Sequence, residues 1–245
     1  MDKAARDCAG ADVVVNLAGA PIAKRWTRAY KLEIRRSLVE LTRALIERIA
    51  RFDRKPMAYV SSSAIGYYGM SRTETFIETS LHGDDFLARV CVEWEHEAGR
   101  ASELGIRVAI VRSGIALGRD GGALAMMLPA FRFGLGGKIA SGAQWMSWVH
   151  IDDLIDTYLR AIDGTAGAIN GTAPEPVTNA IFTQTLGRVL RRPTLLGVPA
   201  AALAVALGEA ASMLTEGQRV LPERTLASGY RFRYPQLEPA LRALL

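Results

Sequence analysis

The sequence predicts an α/β protein in which a doubly wound parallel sheet is followed by a small, mostly helical C-terminal lobe. Two observations support this fold class. Short apolar runs alternate with amphipathic stretches of helical period, which is the pattern of parallel βαβ units. Beyond residue 170, strand-like runs become rare and helical patterns dominate. We therefore place the boundary of the two parts between residues 170 and 171.

The composition predicts a globular protein with a substantial core. The chain has 245 residues, of which 49% are hydrophobic and 22% are charged, and its net charge is +5. The basic residues are dispersed, which argues against nucleic-acid binding. Two cysteines, Cys8 and Cys91, are too few for a disulfide framework and suit a reducing compartment. With no apolar signal segment and no stretch of membrane-spanning length, we expect a cytoplasmic protein without a membrane partner.

The first predicted strand covers residues 12–16, and a loop over residues 20–27 follows it. The next stretch predicts a long helix, because apolar residues recur at every third or fourth position. These apolar residues are Ile34, Leu38, Leu41, Leu45 and Ile49. One face of this helix is therefore expected to pack against the sheet.

A second strand is predicted at residues 58–61, and a long polar loop over residues 62–83 follows it. Long loops inside compact domains are commonly functional. A second helix is predicted from about residue 84 to residue 104, and Gly105 ends it. Its apolar face contains Leu87, Val90, Cys91, Trp94, Ala98 and Ala101.

The second half of the chain begins with a strand at residues 108–111, which its continuous apolar character predicts to be buried. A glycine-rich loop over residues 114–137 contains a helical piece near residues 124–133. The further predictions are a strand at residues 168–171 and helices at 152–162, from Thr178 or Asn179 to Leu190, at 200–214 and at 235–245.

The motif Asn16-Leu17-Ala18-Gly19 is the most informative one. A strand that ends in small residues allows a dinucleotide to lie against its backbone, although the same residues also form ordinary tight turns. In dinucleotide-binding sheets such a strand follows a βαβ unit with a glycine-rich phosphate turn. Here only eleven residues precede the strand, and they contain one glycine, Gly10. We therefore expect a Rossmann-like sheet that lacks its first βαβ unit.

A cluster of serines follows the second predicted strand. Ser61, Ser62 and Ser63 come at its carboxyl end, where open α/β sheets bind ligands. Their hydroxyl groups could donate to a substrate oxygen, or they could satisfy the backbone of their own turn. The neighbouring strand end, with its small residues, favours the functional interpretation.

These two strand ends resemble the short-chain dehydrogenase/reductase superfamily in its extended, sugar-nucleotide-epimerase-like form. The whole chain is similar to atypical epimerase-family proteins that end in a domain of unknown function. The stretches that carry this resemblance are Arg25-Trp26, residues 83–88, Trp94-Glu95, residues 112–118, residues 134–137, residues 141–154 (SGAQWMSWVHIDDL), Thr178-Asn179-Ala180 and residues 218–222. The resemblance implies a Rossmann-like domain at residues 1–170 that binds NADP or NAD, and a substrate-covering lobe at residues 171–245.

The resemblance implies catalysis by a Tyr and a Lys that are four residues apart on one helix, where the Lys lowers the pKa of the Tyr. The Trp94-Glu95 pair sets the register of that helix. It puts Leu87 at the Tyr position and Cys91 at the Lys position. Neither side chain can supply the acid/base pair.

Two other residues are candidate catalytic groups. Ser63 matches the catalytic serine of the superfamily and could bind a substrate hydroxyl or carbonyl. Tyr67, or alternatively Tyr68, could replace the missing tyrosine as a proton donor if its hydroxyl points into the cleft.

The resemblance also implies which residues contact the cofactor. The expected contacts are Asn16, Leu17, Ala18, Gly19, Glu33, Ser61, Ser62 and Ala116, with Ile115 beside the last. Where the family has Ser-Arg after Glu33, this chain keeps Ser37 but has Leu38, so a guanidinium that could pair a phosphate is lost. Relatives suggest NADP, while the residue that selects NADP or NAD would lie on the absent second strand.

A third group of residues is expected to bind substrate: Arg112, Ser113, Gly114, Trp145 and His150. His150 has a second interpretation, as a hydrogen-bonding anchor of the helix that follows it. Asp152 and Asp153 are expected to stabilise the first turn of that helix rather than to act in catalysis. We expect no metal site, because the three histidines show no ligand spacing.

Three functional hypotheses stay open. The first is an NAD(P)-dependent epimerase or oxidoreductase for a small molecule, such as a sugar nucleotide or a carbonyl compound, with a homodimer formed through the two long helices, as in relatives. The second is a non-catalytic, dinucleotide-responsive binding module, which Leu87 and Cys91 favour. The third is a truncated product that binds no cofactor, which the missing βαβ unit favours.

Overall fold

The structure is a computed structural model that describes residues 8–245. Residues 1–7, which begin the predicted nucleotide-binding part, lie outside the described residues. The strands are β1 (Val13–Asn16), β2 (Ala58–Ala64), β3 (Thr75–Phe76), β4 (Arg107–Ser113), β5 (Ile115–Leu117), β6 (Trp145–Met146), β7 (Trp148–His150), β8 (Gly167–Gly171), β9 (Val177–Thr178) and β10 (Arg219–Val220). The α-helices are α1 (Arg28–Arg35), α2 (Leu41–Ile49), α3 (Phe86–Gly99), α4 (Gly122–Arg132), α5 (Ile151–Asp163), α6 (Asn179–Leu190), α7 (Ala200–Leu207), α8 (Ser212–Thr215), α9 (Glu223–Ala227) and α10 (Leu237–Leu244).

Four parallel strands form the central sheet, in the order β1-β2-β4-β8. The alternation of strands with helices predicts this parallel arrangement, and the structure confirms it. The strand predicted at residues 58–61 is longer at its carboxyl end, and the strand predicted at residues 108–111 is longer at both ends. The reason is that β2 and β4 pair along seven residues each. The serine cluster therefore belongs to β2 itself rather than to the loop after it.

The first helical stretch differs in detail from the prediction. A π-helical turn at Arg36–Glu40 separates α1 from α2. A π-turn contains an extra residue, so the face that packs inward shifts by one position after it. Thr42 and Ile46 are therefore buried, whereas the predicted Leu41 and Leu45 are only half-buried.

The second long helix follows the prediction closely. Asp85 caps α3, and its side chain accepts a hydrogen bond from the backbone N–H of Ala88 at 2.9 Å. A 3₁₀ segment at Arg100–Leu104 continues it, and Gly105 ends it with a φ of 76°. All of the apolar residues predicted for its inner face are buried.

The C-terminal lobe shares a core with the preceding segment of the chain. One hydrophobic cluster joins Leu124 and Phe131 of α4 and Trp148 of β7 to Phe182 of α6 and Leu241 of α10. This cluster contains residues from both sides of the predicted boundary at residue 170. The boundary itself stays a prediction.

Candidate functional site

The carboxyl ends of neighbouring strands bring the predicted ligand-binding residues together. Asn16 at the end of β1 lies directly opposite Ser61 of β2. Further along, Ser63 of β2 lies opposite Arg112 of β4. Neighbouring strands in a sheet are about 4.8 Å apart, so these residues occupy one rim of the sheet.

The side chain of Asn16 shapes the turn after β1. Its amide nitrogen donates to the hydroxyl oxygens of Thr42 and Tyr59, each at 3.0 Å. Its carbonyl oxygen accepts from the backbone N–H of Ala18 at 3.1 Å. Since the side chain is buried and its donors are engaged, Asn16 positions the following backbone and does not present its own amide to solvent.

Residues 17–19 are exposed along this rim, and the side chain of Leu17 is 65% exposed. The hydroxyl of Ser37 accepts a hydrogen bond from the backbone N–H of Ala20 at 2.9 Å, which ties the turn to the first long helix. A Cβ at Gly19 would lie 2.5 Å from the Cδ2 atom of Leu38. Gly19 therefore permits close packing of this turn against Leu38.

The three serines of β2 differ in their surroundings. The Ser61 hydroxyl donates to the backbone carbonyl of Ser62 at 3.0 Å, and Ser61 is buried. The Ser63 hydroxyl donates to Oε1 of Glu95 at 2.6 Å. Ser62 points to the other face of the strand, is half-buried and makes no side-chain hydrogen bond within the described residues.

Glu95 and Arg112 form a buried ion pair behind Ser63. Arg112 Nη2 lies 2.8 Å from Glu95 Oε2, and Arg112 Nε donates to Glu95 Oε1 at 2.9 Å. Only 5% of the Arg112 side chain and 10% of the Glu95 side chain are exposed. Burial alone would lower the pKa of Arg112, but the hydrogen bonds and the charge of Glu95 outweigh it and raise that pKa. Arg112 therefore stays charged and faces Glu95 rather than open solvent.

Two tyrosines contact the other side of the Arg112 guanidinium. The Cζ atom of Arg112 lies 3.4 Å from the centroid of the Tyr67 ring, which is a cation–π contact. The Tyr68 hydroxyl accepts from Arg112 Nη1 at 2.9 Å and donates to Asn170 at 2.7 Å. Burial raises the pKa of Tyr68 to about 12, so this tyrosine is a neutral phenol at neutral pH. The hydroxyl of half-buried Tyr67 has no hydrogen-bond partner among residues 8–245.

Leu87 and Cys91, which the sequence register puts at the positions of the expected Tyr and Lys, lie beside the turn that follows β2. A Cβ at Gly66 would meet Leu87 at 3.5 Å and the sulfur of Cys91 at 3.9 Å. Burial raises the pKa of the Cys91 thiol to about 12, so it is protonated and unable to act as a base at neutral pH. The geometry places two chemically inert side chains on this helix face.

Ser113, Gly114 and Trp145, which are also predicted to bind substrate, differ in their surroundings. Ser113 ends β4 and Gly114 follows it. A Cβ at Gly114 would collide with the backbone of Ser147, so this glycine is required for packing. The Trp145 indole donates to the carbonyl of Arg72 at 3.2 Å and connects the long loop to β6, which pairs with β9. Ala116 lies in the small sheet formed by β5 and β7.

His150 is buried and serves as the N-cap of α5. Its Nδ1 accepts from the backbone N–H of Asp152 at 3.1 Å, and its ring stacks on Tyr234 with centroids 3.9 Å apart. Burial lowers the pKa of His150, with Arg233 adding to the shift and two aspartates opposing it. The side chain is therefore engaged in the fold. Asp153 lies in the first turn of α5, as predicted, and its carboxylate also accepts hydrogen bonds from the C-terminal segment.

Comparison with known proteins adds what the geometry alone does not supply. Residues 1–172 match the NAD dependent epimerase/dehydratase family, and residues 198–244 match a domain of unknown function, DUF1731. The chain belongs to this epimerase/dehydratase family. A relative from Arabidopsis thaliana, the chloroplastic homolog of epimerase family protein SDR39U1, is 46% identical over 240 residues, which are 96% of this chain and 69% of the relative.

Solved structures of the epimerase family share the fold. The human epimerase family protein SDR39U1 (isoform2), crystallised with NADPH, superposes with a TM-score of 0.94 and is 39% identical; the match covers 99% of this chain and 85% of the human one. A nucleoside-diphosphate sugar epimerase from Corynebacterium glutamicum gives a TM-score of 0.78 at 36% identity, and the match covers 98% of this chain and 47% of that one. The Rossmann-like fold and the family predicted from the sequence are thus confirmed.

Another predicted cofactor contact of this epimerase-family chain is Glu33. It is exposed on α1 and makes no side-chain hydrogen bond or ion pair within the described residues. Among residues 8–245 there is no group of three or more His, Cys, Asp or Glu side chains that could hold a metal ion. In the same part of the chain, no helix combines the length and the apolar character needed to cross a membrane.

Glu95 is a site residue that the sequence motifs did not indicate. In the sequence prediction, the Trp94-Glu95 pair serves only to set the helix register. Glu95 lies four residues after Cys91, so it continues the same helix face by one turn. That spacing, together with Arg112 at the end of a buried strand, is the signal that could have indicated the ion pair.

Proposed function

We propose that this protein binds NADP(H) along the rim formed by the ends of β1 and β2. The observation that carries the proposal is the pairing of Asn16 with Ser61, which brings residues 17–19 and Ser62 to one edge of the sheet. These residues suit NADP(H). Ala18 and Gly19 are small, so the backbone of their turn is accessible to the cofactor. The exposed Leu17 side chain offers an apolar contact, and the Ser62 hydroxyl, which has no hydrogen-bond partner among residues 8–245, offers a polar one. The NADPH bound to the human relative supports the choice of cofactor.

The chemistry of the site favours cofactor binding without the Tyr–Lys mechanism of the superfamily. Leu87 and Cys91 occupy the positions of that pair, and the Ser63 hydroxyl donates its hydrogen bond to Glu95. The nicotinamide group supplies hydride transfer when bound. The residues of this chain would contribute binding and orientation, through the rim and through Ser62.

A second candidate function is reduction or epimerisation of a small molecule with Tyr67 as the proton donor. The unpartnered hydroxyl of Tyr67 and its stacking on Arg112 favour this role. The stacked guanidinium holds the Tyr67 ring in place beside Ser63 and Glu95. The nucleoside-diphosphate sugar epimerase among the relatives supports a sugar nucleotide as one substrate class, and a carbonyl compound is the other. A cytosolic location for this activity is also part of the proposal.

Binding can be tested by titrating the intact chain with NADPH and NADH while following nicotinamide fluorescence. We expect saturable binding that favours NADPH. Leu17→Glu places a negative charge on the rim and is expected to weaken NADPH binding at least tenfold. The control is Leu195→Glu, since Leu195 is 88% exposed in the C-terminal lobe. Equal affinities in both variants, or no binding to the unmodified chain, would overturn the proposal.

Catalysis can be separated from binding with a panel of aldehydes and sugar nucleotides. If Tyr67 is the proton donor, Tyr67→Phe should lower turnover by about 10²-fold or more with NADPH affinity preserved. Saturable NADPH binding without turnover on the panel supports the binding module. Turnover that survives in Tyr67→Phe removes the second candidate.

A further inference from the structure

A small cavity of about 130 Å³ lies away from the proposed cofactor rim. It is formed by the last turns of α5, the chain just before β8, and α9 with the residue after it. Its polar lining consists of Arg160, Arg224, Thr157, Thr165, Thr225 and Ser228. The lining contains two guanidinium groups and four hydroxyl groups, and no carboxylate.

The cavity belongs to the opposite rim of the sheet. Thr165 precedes β8, so it lies at the amino end of a strand that runs parallel to its neighbours. Close by, Arg107 at the start of β4 donates to the carbonyls of Ala161 and Thr165 at 2.6 and 2.7 Å. These bonds satisfy the free carbonyls at the end of α5, whose partial negative charge would otherwise repel an anion. The proposed cofactor rim, by contrast, is at the carboxyl ends of the strands.

The guanidinium groups of the two cavity arginines lack acidic partners. Within the described residues, neither the Arg160 nor the Arg224 guanidinium has a carboxylate oxygen within 4.0 Å, although the backbone N–H of Arg224 donates to Glu78 Oε2 at 3.3 Å. Arg188 and Arg242, by contrast, both pair with Glu238. Arg160 donates to the Ser228 hydroxyl at 2.7 Å. Arg224 donates to the backbone carbonyls of Ala168 at 2.5 Å and Ala166 at 2.9 Å. These neutral partners orient the guanidinium groups, and neither guanidinium is paired with a carboxylate. The Arg160 guanidinium also lies 5.3 Å from the centroid of the Tyr230 ring.

The donors that remain suit a compact oxyanion. A guanidinium group carries about five N–H donors in a planar fork that matches phosphate oxygens, and most of those on Arg160 and Arg224 are unused. A molecule of liquid water occupies ~30 Å³, so the cavity holds roughly four, which is close to the size of one tetrahedral anion. The space is far below that of pockets for nucleotide-sized ligands, which begin at about 300 Å³.

We infer that this cavity is a binding site for phosphate, either as the inorganic ion or as the terminal group of a small phosphomonoester. Arg160 and Arg224 supply the charge, and the hydroxyl group of Thr225 adds a donor. The Ser228 hydroxyl donates to the backbone carbonyl of Thr225 and accepts from Arg160, so it orients that arginine. Since Arg160 belongs to α5 and Arg224 to α9, bound phosphate connects the sheet domain to the C-terminal segment.

The test is a titration of the intact chain with inorganic phosphate and, separately, with methyl phosphate, followed by ³¹P NMR line width and by the thermal midpoint. We expect saturable broadening and a higher Tm with inorganic phosphate. Saturation by methyl phosphate as well assigns the site to phosphomonoester ends, and saturation by the inorganic ion alone assigns it to free phosphate.

Variants locate the binding. Arg160→Gln and Arg224→Gln should each weaken phosphate binding at least tenfold, because each removes charge-assisted hydrogen bonds. Arg192→Gln, an exposed arginine outside the cavity, is the matched control and should leave binding unchanged. If a glutamine variant does not fold, Arg224→Lys keeps the charge but loses the fork and should also bind more weakly. The inference is wrong if neither ligand saturates, or if the control loses as much affinity as the cavity variants.

Discussion

At the scale of single residues, Glu95 organises the candidate site. It accepts hydrogen bonds from the Ser63 hydroxyl and from two nitrogens of Arg112. A buried ion pair of this kind stabilises the fold only while both partners are present, since a buried charge without its partner is costly. Ser63 and Arg112 thus both depend on the carboxylate of Glu95.

We predict that Glu95→Gln lowers the free energy of unfolding by about 3–5 kcal/mol, because Arg112 stays charged and buried without its counterion. Glu93→Gln is the matched control on the same helix. Glu93 also pairs with an arginine, Arg35, but its side chain is 43% exposed, so we expect a loss below about 1 kcal/mol. Urea denaturation measures both values, and similar losses in the two variants would contradict the assigned role of the ion pair.

At the scale of elements, sequence patterns predict those features that depend on local periodicity. The inner face of α3 and its end at Gly105 follow directly from the spacing of apolar residues. The π-turn at Arg36–Glu40 could not be predicted in this way, and it moved burial from Leu45 to Ile46. Contacts between elements, such as that of Ser63 with Glu95, depend on how α3 sits on the sheet, which periodicity does not specify.

In the loop between β2 and α3, the backbones of Gly69 and Gly83 are in close contact. A Cβ at Gly83 would lie 2.6 Å from the Cα of Gly69 and 2.8 Å from its nitrogen, which no side-chain adjustment can relieve. We predict that Gly83→Ala lowers the free energy of unfolding by about 1–3 kcal/mol. Gly99→Ala is the control, since nothing lies within 4 Å of its Cβ position at the end of α3, and alanine there should be neutral or stabilising by up to about 1 kcal/mol. Thermal or urea unfolding of the two variants should show opposite signs; equal losses would contradict the close crossing of the two glycines.

At the scale of the whole molecule, one aspartate attaches the C-terminal segment to the sheet domain. The carboxylate of Asp153 accepts from the Tyr230 hydroxyl at 2.9 Å and from the backbone N–H groups of Arg233 at 2.8 Å and Tyr234 at 3.0 Å. The sequence predicts both the parallel sheet and the helical lobe. It does not predict this attachment, because the three donors lie about 80 residues further along the chain. The predicted homodimer through the long helices stays a prediction.

We predict that Asp153→Asn loosens the C-terminal segment, since the amide NH₂ group would face a donor that the carboxylate now satisfies. The expected loss of stability is about 1–3 kcal/mol, with faster hydrogen exchange at the amides of Arg233 and Tyr234. Asp152→Asn is the neighbouring control; its side chain is 43% exposed, and we expect a change within about 0.5 kcal/mol. Unchanged exchange in Asp153→Asn would contradict this attachment.

The ends of β1 and β2 together form the proposed surface for NADP(H). Amide chemical shifts of the isotope-labelled chain, recorded during an NADPH titration, report which residues lie at that surface. We expect saturable shifts at Leu17, Ala18, Gly19 and Ser62, with much smaller shifts at Thr165 and Gly167 on the opposite rim. Shifts that are absent from the first group, or that centre on the opposite rim, would contradict this binding surface.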